Sequence, residues 1–348
     1  MKHFNTGFLI RAVALLLTLI SLFCAVSCDS TEEPPAETTA STTEAETEAP
    51  TEAATKPPID TSNDGRARII LASDLHYTTI ETYYTVSADK RMQHFVDNIL
   101  AEHKSNPIDL LIFVGDVSLD HLFKRGTWTV NKESTTKTFL KKYGSQIKAA
   151  NIPYIVLPGN HEQFNDQQWE EITGNKRNVT VEVEGVLFIM PDSYGQTLEP
   201  NYDVVNGAVY TPMNVEYIKD QLALHPHCKK AFIVTHGFWP GKETAEFEEL
   251  MRTEPRLAGI FNGDSHANTV KDLGYKYGYK KQAQTGHFSQ FGENLNEATK
   301  SCFWGFRELI LTPTNAVSRY ITVESKGMVG GKVLFQVKRT TGHSVIFY

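Results

Sequence analysis

Five short polar clusters carry the residue types that metal and acid–base chemistry require. They are Asp74-Leu75-His76, Gly115-Asp116, Gly159-Asn160-His161-Glu162, Thr235-His236 and Gly263-Asp264-Ser265-His266. Each follows an apolar run: Ile69-Ile70-Leu71, Leu110-Leu111-Ile112-Phe113-Val114, Tyr154-Ile155-Val156-Leu157, Phe232-Ile233-Val234 and Ile260-Phe261. Runs of this kind read as buried parallel strands, and ligands of open α/β sheets gather at the strands' carboxyl ends. Carboxylate, imidazole and carboxamide groups delivered to one sheet edge make a pocket for hard or borderline divalent cations.

The intervening segments supply the elements that position these clusters. Strands are expected at 67–73, 109–115 and 153–158. Between them, Met92, Phe95, Val96, Ile99 and Leu100 predict a helix over 88–104, and Phe139, Leu140, Tyr143 and Ile147 predict another over 135–150. A β-α-β-α-β order implies parallel pairing with helical crossovers. Further on, a helix near 165–173, strands at 179–183 and 186–191, a helix at 214–224, a strand at 231–235, a helix at 243–253 and a strand at 259–263 extend the pattern. The remainder reads as strands at 283–286, 302–311, 318–324 and 332–339. An αβ half followed by a β-rich half predicts two packed sheets in one domain, 66–348.

The first 65 residues read differently. Lys2 and Arg11 flank a mildly basic start, and Ala12–Val26 is apolar apart from Thr18 and Ser21. That stretch is shorter than the roughly 20 residues a membrane-spanning helix needs, and it fits the apolar part of an export signal. Ala25-Val26-Ser27-Cys28 resembles a bacterial lipoprotein processing site, so residues 1–28 are expected to be a signal with a membrane anchor on Cys28. Residues 29–65 are nearly all Thr, Glu, Ala, Pro and Ser, a composition that cannot form a core and reads as a disordered linker. The net charge of −7 divides into +2 before Cys28, −9 over 29–65 and zero from Arg66 onward. The acidity therefore belongs to the tail, and no basic patch supports a nucleic-acid partner. In the folded part only Cys228 and Cys302 remain, either as a disulfide or as two buried thiols.

Taken in order, Asp-x-His, Gly-Asp, Gly-Asn-His-Glu, a lone His and Gly-x-x-His strongly resemble the calcineurin-like metallophosphoesterase family over residues 67–268. The resemblance implies an α/β fold: a two-sheet β-sandwich flanked by helices in four αββα layers, with the later strands in the second sheet. It implies a first metal held by Asp74, His76, Asp116 and His266. Asp116 would bridge to a second metal completed by Asn160, His236 and position 264, and His161 would face the substrate and protonate the leaving oxygen. The physical logic is self-consistent: two cations about 3.5–4 Å apart share a carboxylate and a hydroxide whose pKa they lower. Mn, Fe or Zn suit such a mixed shell. The expected activity is hydrolysis of a small phosphomono- or diester at the cell surface.

One residue departs from the family pattern. The last motif is usually Gly-His-x-His, and Asp264 stands where the first of those His residues would be. Asp264 can ligate in its place or merely orient a neighbour. The alternative reading, a non-catalytic surface module with an incomplete second site, rests on this departure and on the loops at 117–133 and 238–246. Retention of His161 argues against it. Glu162 is expected to anchor its loop. His225 and His227 have no cluster around them in sequence and read as surface positions. His287 has a possible role in a loop near the site, and Phe238 and Trp239 either pack their loop or form a platform for an aryl or nucleobase group.

Overall fold

The computed structural model describes residues 66–80, 86–120, 134–162, 164–194, 208–289, 301–329, 332–337 and 340–347. The expectations for the export signal, Cys28, the linker and most of the 117–133 loop lie outside the described residues.

The αβ portion forms as the periodicities require. Strands β1 (Ala67–Ala72), β2 (Leu110–Val114) and β3 (Tyr154–Leu157) pair in parallel, and helix α1 (Ala88–Ser105) crosses between the first two. The segment expected as one helix over 135–150 is a continuous helical run with a wider turn inside it. Its parts are α2 (Thr135–Phe139), a π turn (Leu140–Gly144) and α3 (Ser145–Ala149). Helix α4 (Asp166–Thr173) starts at an Asn165–Gln168 capping box and stops at Gly174, whose φ is 71°. The hairpin β4 (Val179–Val183) and β5 (Val186–Met190), helix α5 (Val215–Leu224), β6 (Lys230–Thr235), helix α6 (Ala245–Thr253) and β7 (Leu257–Asn262) follow. Helix α6 begins two residues later than expected because Thr244 is its cap, accepting from the Phe247 amide.

The last third differs from expectation. Strands β8 (Val270–Asp272) and β13 (Thr340–Phe347) were not legible in the sequence, and β9 spans Lys281–Gln284. More importantly, β10 (Ser301–Leu311), β11 (Ala316–Val329), β12 (Lys332–Val337) and β13 do not build the second sheet. They extend the first, in the order β12-β11-β10-β1-β2-β3 with β13 also on β11, while the second sheet runs β4-β5-β6-β7-β9-β8. The reason is packing. Strand β10 runs antiparallel to β1, with Leu309 beside Ile69, and carries Phe306 to one buried face of the sheet and Leu309 and Leu311 to the other.

Three apolar layers hold the four structural layers together. Strand alternation sends Ile70, Leu111 and Phe113 outward onto α1 residues such as Phe95 and Ile99, and sends Ile69, Leu71, Ile112 and Val114 inward. There they meet Val181, Phe188, Phe232, Val234 and Phe261 of the second sheet, with Phe347 closing the gap 5.0 Å from the Phe232 ring. The outer face of the second sheet buries Leu187, Ile233 and Ile260 against Ile218 of α5 and Phe247 and Met251 of α6. This is the expected α/β sandwich, and among the described residues no helix is long and apolar enough to cross a membrane.

Candidate metal centre

Both sheets present the carboxyl ends of their parallel strands to one place. The β1–β2 pairing continues past the strands: the Asp74 amide donates to the Gly115 carbonyl, the His76 amide to Asp116 and the Tyr77 amide to Val117. Asp-x-His and Gly-Asp are therefore held side by side by main-chain bonds. The second sheet joins through His236, whose ring meets the Val114 carbonyl through Nδ1 at 2.7 Å. Gly115 is required at this junction. Its φ is 79°, and a Cβ there would lie 2.5 Å from the His236 ring.

The site's backbone is unusual in the same way at five positions. Asp74, His76, Asp116, Asp264 and His266 have φ between 49° and 64°, five of the eight non-glycine residues with positive φ among the described residues. The left-handed region costs non-glycine residues on the order of 1–3 kcal/mol and clusters at functional sites. It is tolerated best by Asn, Asp and His, and each of these strand ends carries Asp or His there.

One carboxylate oxygen is the focus. Asp116 Oδ2 lies 3.1 Å from His236 Nε2, and 3.5 Å from both His76 Nε2 and His161 Nε2. Its partner Oδ1 accepts the His161 amide at 3.0 Å. A second convergence surrounds Asp74 Oδ1, which lies 3.2 Å from His266 Nε2 and 3.9 Å from His76 Nε2. The other oxygen of Asp74 is taken by the Ser73 hydroxyl and the Asp264 amide. Asn160 Oδ1 sits 3.2 Å from His236 Nε2. Three groups of donors lie mutually within 4.8 Å: Asp74/His76/His266, His76/Asp116/His161 and Asp74/Asp116/His236.

The sequence-selected residues are thus brought together, with two qualifications of placement. Asp264 is absent from those three groups. Its Oδ1 is 4.0 Å from His236 Nε2 and accepts the Tyr194 hydroxyl at 2.9 Å. His161, expected only to face substrate, approaches Asp116 as closely as His76 does, but its side chain is 16% exposed against 5% for His76, which puts it at the mouth.

The electrostatics follow from burial. Burial alone would raise the Asp116 carboxyl, but the imidazoles of His161 and His236 overcome it and hold it well below the usual carboxylate range. Burial opposes the charged form of His236 too, and Asp116, Asp74 and Asp264 overcome it, holding the imidazole well above its ordinary value. Burial also raises the Asp264 carboxyl.

Several supporting residues lie outside the five clusters or were given a lesser part. Arg91, fully buried on α1, donates to the carbonyls of Leu75, His76 and Phe288, tying the first loop to the helix. Tyr194 reaches Asp264 from 70 residues away, and no local signal marks it. His287 stacks on His266 at 5.2 Å and bonds Ser289, which fixes the ring next to the site. Phe238 packs on Phe247 and Tyr277 and is no platform, whereas Trp239 is 45% exposed.

Glu162 anchors its loop as expected. Its two oxygens accept the amides of Ser118 (2.7 Å), Gly159 (2.8 Å) and Asp116 (3.0 Å), although burial and then the Asp116 charge push its pKa up to about 8. It thereby pins the β2 and β3 loops to each other. Glu162→Ala strands three buried amides, at about 1–3 kcal/mol each. It should lower the urea midpoint and weaken metal retention together, and a wild-type midpoint would contradict this role.

Comparison with known proteins agrees with the geometry. No curated protein sequence matches the chain. A dimetal phosphatase from Danio rerio superposes with a TM-score of 0.55 at 10% identity, covering 82% of this chain and 99% of that one. GAP50, the anchor in the inner membrane complex of Plasmodium, gives 0.43 at 13% identity over 78% and 88%. Vacuolar protein sorting 29 from Cryptosporidium parvum gives 0.34 at 12% over 80% and 100%. The first likeness shows the fold alone, and the other two are too distant to support an argument. The family model for calcineurin-like phosphoesterases matches residues 67–268, more than half of the chain and all five clusters, so this protein belongs to the calcineurin-like phosphoesterase family.

Proposed function

We propose that the protein hydrolyses small phosphomono- or diesters with two metal ions bound at the strand ends. The observation that carries this reading is Asp116 Oδ2, one buried carboxylate oxygen within 3.5 Å of three imidazole nitrogens. The donor set fits borderline cations such as Mn, Fe or Zn: imidazole nitrogens and carboxylate oxygens converge, with a neutral carboxamide oxygen beside them. Asp74, His76, Asp116 and His266 would hold one ion. Asp116, Asn160 and His236 would hold the other, with Asp264 at its edge, positioned by Tyr194. Bound cations supply Lewis-acid activation of water and neutralise charge on a phosphoryl group.

The chain's own residues account for the rest. His236 donates from Nδ1 to the Val114 carbonyl, which leaves Nε2 as the nitrogen facing the centre. Asp74 spends Oδ2 on Ser73 and the Asp264 amide, so Oδ1 is aimed inward. His161, at the mouth, would hold a proton on Nε2 for the departing alkoxide. Trp239, 45% exposed beside the His236 turn and with the Lys242 ammonium 5.3 Å from its ring centre, would meet an aryl or nucleobase leaving group.

Asp116→Ala should empty both sites by elemental analysis and abolish turnover of an aryl phosphate with added Mn. His161→Asn should keep its metals and lose about 10²–10⁴-fold in rate, the usual worth of general acid–base help. Two ions retained in Asp116→Ala, or metal lost in His161→Asn, would overturn these roles.

The reading includes location. The apolar stretch Ala12–Val26, Cys28 and the acidic, Thr- and Pro-rich residues 29–65 support an exported protein tethered by a lipid on Cys28. A linker of that length reaches roughly 30–36 Å, enough to hold the domain clear of a bilayer. Mass spectrometry of the mature chain should find an acylated Cys28, and an unmodified terminus downstream of it would refute the anchor.

A further inference from the structure

A second group of metal-binding side chains lies away from the centre described above. Strand β4 is the edge of the second sheet. Its Val179, Val181 and Val183 face the inter-sheet core, so the alternate residues Thr180 and Glu182 face the outer, helical side. The Thr180 hydroxyl bonds the Tyr217 hydroxyl of α5 at 2.8 Å, which confirms that direction. The turn from α5 into β6 passes the same face and delivers His227 and Cys228. His227 Nε2 is 2.7 Å from Glu182 Oε2, and the buried Cys228 lies beside the same carboxylate. One donor atom from each residue lies within 4.8 Å of the other two. These residues precede β6, whereas His236 follows it, so the group is at the opposite edge of the sheet from the phosphoesterase centre.

We infer that Glu182, His227 and Cys228 form a binding site for a zinc-class divalent cation, independent of the phosphoesterase centre. One sulfur, one imidazole and one carboxylate are a three-donor set that leaves a fourth position to water, an arrangement zinc and cobalt accept and that the sulfur makes unsuitable for Ca or Mg. Two neighbouring cations are engaged elsewhere: Arg256 by the Glu254 carboxylate at 2.9 and 3.0 Å and by the Leu222 carbonyl, and Lys230 by the Phe347 carbonyl. The His227 side chain is 61% exposed, so most of its ring borders solvent. This matters because its nitrogen now touches Glu182 more closely than two donors on one ion do, and cation entry must replace that hydrogen bond. The step balances simply. The thiol releases its proton to solvent and binds as thiolate. The imidazole binds through Nε2 with its proton on Nδ1, and Glu182 binds as the carboxylate. Burial and then the Glu182 carboxylate push the metal-free thiol up to about 12, so the bound cation must displace that proton. The consequence for the fold is a staple joining the edge strand β4 to the α5–β6 turn.

The test is cobalt titration of the full chain, read by the thiolate-to-cobalt charge-transfer band. None of the residues assigned to the phosphoesterase centre is a cysteine, so the band does not depend on the phosphoesterase reading, and the Cys228 variant assigns it to this site among the four cysteines of the chain. The wild type and Cys302→Ser should show it, Cys228→Ser should lose it, and aryl-phosphatase activity in Cys228→Ser should be unchanged. His227→Ala alters an exposed residue and so avoids the folding question. It should weaken cobalt binding at this band by at least the 10–100-fold that even outer-shell changes cost. Absence of the band in the wild type, its survival in Cys228→Ser, or unchanged affinity in His227→Ala would overturn the assignment.

Discussion

A carboxylate removed from water at the meeting of two sheets has to find compensating positive charge, because isolated buried charge is among the costliest features a protein can contain. Asp74 and Asp116 are both buried to within 2% of complete, with Asp264 beside them. Much of the local structure follows from that constraint. Imidazoles approach from four separate loops. The glycines of the motifs remove side chains that would otherwise occupy the space: a Cβ on Gly159 would lie 2.1 Å from Asp116 Oδ1. Left-handed backbone at five residues, spread over the ends of β1, β2 and β7, turns the functional side chains toward one point. Charge, steric room and strain are three expressions of one requirement, and cation binding is what relieves the first while fixing the other two.

The supports around the centre are ordered by the same logic. Arg91 caps three carbonyls of the first and last loops, and Glu162 collects three amides of the second and third. One buried guanidinium and one buried carboxylate thus fasten loops whose own backbone groups have no sheet partner left. Tyr194 does the corresponding work for Asp264. Gly237 leaves room for that ring, since a Cβ there would lie 2.7 Å from it. The residue that departs from the family pattern therefore has its own dedicated partner, which ties the departure to a coherent local arrangement.

Much of this was legible in the sequence because it is local. An apolar β-branched run ended by Asp, His or Gly-Asp states both the strand and what sits at its end, and the five clusters appear in the structure where those runs stop. The helices were legible through their apolar spacing, as with Phe95, Val96 and Ile99 of α1. What was not legible depends on partners distant in the chain. Nothing in Cys302–Leu311 says that its strand pairs with β1 and not with the second sheet. Thr340–Phe347 carries too little apolar alternation to announce a strand, yet Phe347 plugs the core. Tyr194 became visible only through Asp264, and His227 gained a cluster only when β4 brought Glu182 to it across 45 residues.

The central claim is that Asp116 is shared between two cations. Electron paramagnetic resonance of the Mn-loaded protein at two equivalents per chain addresses it most directly, because a bridging carboxylate couples the spins of the ions it joins. The account predicts the spectrum of an exchange-coupled pair, collapsing to free-ion signal in Asp116→Ala. Two equivalents bound with only the signal of isolated ions would contradict it.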